Sequence, residues 1–285
     1  MKKILFCLLS ATMLLAGCKE KNKPSEPELE ETREVSLPGR FSVSAETQVQ
    51  FSQGNLQYHA HAGVWRFAAY QYDIIGKNNV NISSTYDGWI DLFGWGTGDK
   101  PTQSNTDNSN YYTFTDWGVN AISNGGKKAN TWRTLSKDEW QYILCSRTNA
   151  EALFGLGGVN GIYGAILLPD NWVLPEGASF VPGTDKGLSW DEENNGYYDI
   201  KGHYFSSNSY SVEQWEQMEA AGAVFLPAAG GRNWNKVNDI SARGFYWSTK
   251  SCGMSAAYHL SFHDVGISSS GHDDRCIGLS VRLVR

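Results

Sequence analysis

Apolar and polar residues alternate most regularly in residues 244–285, through Tyr246, Trp247, Tyr258, Leu260, Phe262, Val265, Ile267, Val281 and Leu283. His259, Ser261, His263, Asp264, Gly266 and Ser268 fall between these apolar positions. A period of two predicts strands with one packed face and one exposed face. Residues 41–58 alternate too, with Phe41, Val43, Val49 and Phe51, then Leu56 and Tyr58 beyond Gly54-Asn55; they read as an opening hairpin. Residues 65–75 are a mixed aromatic stretch that fits a short helix. Residues 87–98, dense in Trp, Phe and Gly, read as packed loop, and residues 100–110 as polar loop.

Two helix starts are written as capping boxes, Ser136 with Glu139 and Ser211 with Gln214. In each, the serine oxygen accepts from an orphan backbone N–H and the longer side chain reaches back. Trp140, Ile143 and Leu144 give the first helix an apolar face; Val212, Trp215 and Met218 serve the second, which Gly222 ends. Residues 223–226 read as a short buried strand and residues 227–232 as a turn. No solenoid-type repeat is present. Sparse helical periodicity with abundant Gly, Asn, Ser, Trp and Tyr predicts an α+β fold with short twisted strands, two helices and long loops.

The N-terminus reads as an export signal. Lys2 and Lys3 precede an apolar stretch, residues 4–16, that is short for a membrane span. Leu15-Ala16-Gly17-Cys18 resembles the lipobox of bacterial lipoproteins, which implies cleavage before Cys18 and lipidation of that residue. Lys19 is not the aspartate that retains many lipoproteins at the inner membrane, so an outer-membrane or cell-surface location is expected. Residues 19–38 are rich in Lys, Glu and Pro and poor in apolar groups, the composition of a tether. The division is therefore signal peptide 1–17, tether 18–38 and folded domain 39–285.

The formal charge is −6, and loss of Lys2 and Lys3 makes the mature chain more acidic. Without a basic stripe, nucleic acid is not an expected partner. After Cys7 leaves and Cys18 is lipidated, Cys145, Cys252 and Cys276 remain. An odd count means at least one free thiol or an intermolecular bridge. Cys145 fits a buried small hydrophobe beside Leu144; Cys252 and Cys276 could pair. No Cys-x-x-Cys or His-x-x-x-His spacing points to a metal. His259 and His263 lie on one strand face but roughly 13 Å apart, too far to share an ion, and His272-Asp273-Asp274 reads as a solvated loop. No nucleophile-elbow motif supports a Ser-His-Asp triad.

Trp132-Arg133-Thr134-Leu135-Ser136-Lys137-Asp138-Glu139-Trp140-Gln141-Tyr142 resembles a signature of the formylglycine-generating-enzyme group. Gly244-Phe245-Tyr246-Trp247-Ser248-Thr249 and Gly278-Leu279-Ser280-Val281-Arg282 resemble its closing elements, which also occur in the Fibrobacter-type major paralogous domain. Phe41-Ser42-Val43, Asn55-Leu56-Gln57-Tyr58 and Gly88-Trp89-Ile90-Asp91-Leu92-Phe93-Gly94-Trp95-Gly96 resemble motifs of lipoproteins of the Bacteroides group. Together these imply a C-type-lectin-like fold. The enzyme of that group holds copper with a Cys-x-x-x-x-Cys pair. Residues 255–262 contain no cysteine, and Cys252 and Cys276 are too far apart in sequence to supply the motif, so no oxidase activity and no cofactor are expected. The calcium-dependent sugar motifs of true C-type lectins are absent; Asn233-Trp234-Asn235-Lys236 is a partial echo.

Some C-type-lectin-like proteins are targets of diversity-generating retroelements, which randomise adenines in AAC or AAT codons. Such codons keep a final pyrimidine and cannot yield Lys, Glu, Gln, Met or Trp. Residues 255–279 contain none of those five residue types, whereas Lys250 and Met254 lie outside the rule. The expectation is a diversified, non-enzymatic ligand-binding face made of Ser251, Cys252, His259, Ser261, His263, Asp264, Gly266, Ser268, Ser270, His272, Asp273, Asp274, Cys276 and Ile277. Its partner would be a surface protein or a glycan, with the membrane reached through the lipid on Cys18. An adhesive or fimbrial-type surface protein of fixed specificity is the alternative.

Overall fold

A computed structural model describes residues 36–285. The segment read as an export signal, Cys18 read as the lipidation position, and most of the stretch read as a tether lie outside the described residues. Ser36 bridges Ser52 and Leu37 is buried, so folded structure begins before the boundary drawn at residue 39.

The chain is mixed α+β, mostly short strands with few short helices. Helix α1 (Lys137–Gln141) starts at Ser136, and both halves of its capping box form. Glu139 also holds Arg133 through a two-pronged ion pair, with N–O distances of 2.9 and 2.7 Å. The helix is shorter than its apolar pattern implied: residues Tyr142–Ser146 continue as a π turn that packs half-buried Cys145 against the core. Helix α2 (Val212–Ala220) has the capping box of Ser211 and Gln214 and ends before Gly222, whose φ of 102° only glycine adopts easily.

The main strands are β1 (Phe154–Val159), β2 (Ile162–Leu167), β3 (Ser189–Asp191), β4 (Gly196–Tyr198), β5 (Ser209–Tyr210), β6 (Val224–Pro227), β7 (Arg243–Cys252), β8 (Ala256–His263) and β9 (Gly266–Asp274). One four-stranded sheet runs β5-β1-β2-β6, parallel only between β5 and β1. A five-stranded antiparallel sheet runs β7-β8-β9-β4-β3. The four-stranded sheet shows the period of two directly. Leu156, Ala165, Leu167, Val224 and Leu226 face the main core, while Val159, Ile166, Ala223 and Phe225 join a cluster with Trp215 and Met218 of α2.

Two readings of the first third are corrected. Phe41–Ser42 pairs with Gln48–Val49, but Leu56–His59 joins a separate three-stranded sheet with Val64–Phe67 and Trp89–Ile90. Gly54-Asn55 is a packing site rather than a hairpin turn. A side chain on Gly54 would meet the Ala68 carbonyl oxygen at 2.5 Å, and buried Asn55 donates to the Tyr246 hydroxyl at 3.2 Å. The stretch from Trp65 is strand rather than helix, because Trp65 and Phe67 both point inward across Arg66. Residues 87–98 are mostly packed loop, with Trp95 nearly buried.

Asp170 clamps the first hairpin to the core. It accepts from the Ser42 N–H (2.9 Å), Ser42 Oγ (2.6 Å), Gln48 Nε2 (2.8 Å) and buried Arg147 Nη1 (3.1 Å). Burial raises the carboxyl pKa, but hydrogen bonds from Ser42, Arg147 and Gln48 outweigh it and hold the group below the usual range. Asp170→Ala strands the Arg147 guanidinium, and an expected loss of about 3 kcal/mol should appear as a lower urea midpoint at pH 7. The folded-state pKa being depressed, this stabilisation is present above the unfolded pKa and lost as pH falls, so the gap to wild type narrows in acid.

Asp91 is the opposite case. It accepts from the Ile75 N–H and Asn79 Nδ2, yet full burial dominates and pushes its pKa up to about 6. A raised folded-state pKa means its contribution is best below the unfolded value and falls as pH rises through about 6. The cost of ionised Asp91 at neutral pH is about 3 kcal/mol. Asp91→Asn cannot ionise, so its stability relative to wild type should be higher at pH 7 than at pH 4. Paired urea titrations at the two values check the sign.

Candidate functional site

Strands β7, β8 and β9 carry most of the predicted recognition residues; Asp264 lies in the turn after β8, and Cys276 and Ile277 follow β9. Cys252 pairs with Ala256 at one end of the hairpin and Arg243 with His263 at the other; across β8 and β9, Ala256 pairs with Asp274 and His263 with Gly266. At strand rise, the two ends of β8 are roughly 23 Å apart. The predicted face is therefore divided into two ends and a covered middle.

The middle is a correction to the sequence reading. His259 is 3% exposed, packed edge-on to Phe245 and Trp247, with Nε2 3.2 Å from Asp273. Ser268 is buried and donates to the Asn194 carbonyl at 2.7 Å; Ser270 donates to the same oxygen at 2.5 Å. Gly266 is buried against Tyr198. Cys276 is buried, its N–H bound by Asn108 Oδ1 at 3.0 Å, and Ile277 packs on an apolar cluster. Ser261 is half-buried opposite Ser268. The reason is that both faces of the sheet are covered. Tyr246, Leu260, Phe262 and Ile267 face the main core, while Trp247, Ala257, Leu279 and Val281 belong to a second core. Strict alternation cannot reveal the second layer, because His and Ser look like surface residues in a sequence.

The first end is the hairpin tip. Ser251, Met254, His272 and Asp274 are exposed there, with Cys252 and Asp273 half-buried. Arg275 fixes the loop from beneath. Its guanidinium lies 4.7 Å from the Trp95 ring centre and donates to the carbonyls of Ala256 (3.0 Å) and Gly253 (3.1 Å). Gly253 takes a φ of 61° at the turn itself. Lys137 lies 5.2 Å from the Tyr258 ring centre, and Lys250 approaches Asp138 at 3.5 Å, so α1 borders this surface. Cys145, Cys252 and Cys276 are all free thiols.

The second end is the turn after β8. The Asp264 carboxylate contacts His203 Nδ1 and accepts from the Phe205 N–H at 3.2 Å; its carbonyl accepts from the Tyr204 N–H at 2.9 Å. Tyr163, His203, Phe205, Ser206, Ser241, Ala242 and Asp264 line a cleft of about 350 Å³. Neighbouring His263 is held below its ordinary pKa by burial and by Arg243, against the pull of Asp264. Asp264 was legible as a candidate. His203, Tyr163 and Phe205 were not, since they come from distant irregular or strand positions with no motif linking them.

Among the described residues, no group of three or more His, Cys, Asp or Glu is placed to hold a metal ion. No described helix is long and apolar enough to cross a membrane. No family model, curated protein or solved structure matches the chain.

The Arg275 contacts set the order of the tip. Arg275→Ala removes two carbonyl partners and the ring contacts to Trp95 and Tyr112. Faster amide hydrogen exchange is expected across residues 252–256, with exchange in β1 and β2 unchanged; equal exchange at the tip would remove the clamp.

Proposed function

We propose that this chain is a lipid-anchored, non-enzymatic surface protein with a C-type-lectin-like fold, displaying a diversified recognition surface at the β7–β8 hairpin tip. The observation that carries the reading is the contrast between clamp and display at that tip. Arg275 and Trp95 hold the backbone, while Ser251, His272 and Asp274 are exposed on it beside half-buried Cys252 and Asp273, the last bound to His259. Each of these five residues is reachable from an AAC or AAT codon. A fixed loop with replaceable side chains is what binding by variation requires, because side-chain changes then leave the fold intact. Export by residues 1–17, lipidation at Cys18 and the tether would place that surface away from the membrane. The copper-binding cysteine pair of the formylglycine-generating enzymes has no counterpart in residues 255–262, which supports binding rather than oxidation.

The gene neighbourhood tests this. A near-copy of the codons for residues 251–282 should be present, carrying AAC or AAT at Ser251, Cys252, His272, Asp273 and Asp274, beside a reverse-transcriptase gene. Absence of both leaves a surface protein of fixed specificity. The protein offers a parallel check. Ser251→Tyr, His272→Tyr and Asp274→Tyr should each shift stability by about 0.5 kcal/mol or less, whereas His259→Tyr should cost about 2 kcal/mol through overpacking. Equal losses at both sets would sink the display reading.

A further inference from the structure

The cleft at the second end lies beyond the hairpin-tip reading: it needs neither lipidation nor diversification. Tyr163 and Phe205 stack with planes 2° apart and centroids separated by 5.1 Å. Phe205 is fixed in the main core at 5% exposure, while Tyr163 is 44% exposed. The inner ring therefore holds the outer one flat at the cleft wall. Beside this pair stand hydrogen-bonding groups of mixed character: the Asp264 carboxylate, the His203 imidazole and the hydroxyls of Ser206 and Ser241.

We propose that this cleft binds a neutral pyranose sugar, stacked on Tyr163 and hydrogen-bonded at its rim by Asp264, His203 and Ser206. A pyranose has an apolar C–H face and a rim of hydroxyls that both donate and accept. Its apolar face matches the face of an aromatic ring, whose quadrupole is negative there. Its rim needs acceptors held in place. Asp264 supplies them: Phe205 N–H and His203 orient its two oxygens, and the remaining lone pairs can accept sugar hydroxyls. Ser206 is itself tethered, donating to the His203 carbonyl at 3.2 Å. Ser241 sits at a φ of 59°, fixed by its N–H bond to Ala228 at 2.8 Å.

An aromatic wall beside a carboxylate also fits a cationic amine. Two features favour the neutral ligand. His203 already occupies one oxygen of Asp264, and Arg243, in register with His263, adds positive charge at this end of the sheet. The cleft of about 350 Å³ lies near the lower limit of small-molecule sites, which suits one or two sugar rings.

Saturation-transfer NMR on the full chain, with the methyl glycosides of glucose, galactose and mannose and with chelator present, tests the site. At least one glycoside should bind with a dissociation constant of about 1 mM. Tyr163→Ala should weaken it at least about tenfold; Tyr163→Phe should retain binding, and Asp264→Asn should weaken it. Met254→Ala, at the hairpin tip, should leave it unchanged. Ser206→Tyr, a substitution at an exposed position, fills the cleft and gives the same loss should Tyr163→Ala fail to fold. No binding by any glycoside at about 20 mM, well above that expected constant, overturns the proposal. So does binding that survives both Tyr163→Ala and Ser206→Tyr, or choline bound in preference to every glycoside. None of these outcomes bears on the hairpin tip, which the gene neighbourhood tests separately.

Discussion

The fold depends on the burial of Arg282. The residue is 1% exposed, and its guanidinium donates to Gln71 Oε1 at 2.8 Å and Asn55 Oδ1 at 3.4 Å. Burial lowers its pKa to about 10, so it remains cationic at neutral pH. A buried cation is tolerated only where its neighbours are fixed as acceptors. Those neighbours are shared. Gln71 accepts from the Phe225 N–H and donates to the Ala223 carbonyl and Glu219; Asn55 donates to the Tyr246 hydroxyl, which donates to the Pro227 carbonyl. One side chain thus ties the last segment to the loops at Asn55 and Gln71 and, through them, to β6, to β7 and to α2.

The same segment is stitched along its length. Ser52 N–H donates to Leu283, Leu56 N–H to Val281, and Leu279 and Phe93 exchange two backbone bonds. Trp247 N–H donates to Ser280. Ser280 therefore runs alongside β7 in a parallel bridge with Tyr246, and Leu279, Val281 and Leu283 join Trp247 and Ala257 in the second core. His259 is covered by the rings of Phe245 and Trp247, and the Cys276 N–H is bound by Asn108. The parts of β7, β8 and β9 left exposed are the hairpin tip and the surroundings of the turn after β8.

These two ends differ in their physics. The tip is fixed through its backbone, with Arg275 reaching carbonyls, and the exposed side chains of Ser251, His272 and Asp274 take no part in that clamp. The cleft is fixed through its side chains, with Asp264 committed to His203 and Phe205, so a change there alters the site itself. Variation suits the first and constancy the second. A molecule carrying both could hold one ligand type while varying in another.

Local chemistry was legible in the sequence. The capping boxes of Ser136 and Ser211, the stop at Gly222 and the inward faces of β8 and β9 are short-range effects, set by hydrogen-bond geometry and a period of two. So was the α+β class. Exposure was legible only in part: Ser251, His272 and Asp274 lie at the surface, but His259 and Ser268 are interior. What the tertiary structure decided was everything that depends on a second layer. Leu56 pairs with Phe67 and donates its N–H to Val281 instead of closing the opening hairpin, and His259 is buried against the rings of Phe245 and Trp247 with Asp273 at its Nε2. Periodicity records how many faces of a strand are apolar, but a polar residue can be covered as readily as an apolar one once its hydrogen bonds are met. The partner that meets them, Asp273 for His259 or Asn194 for Ser268, comes from another strand or turn that no local pattern names.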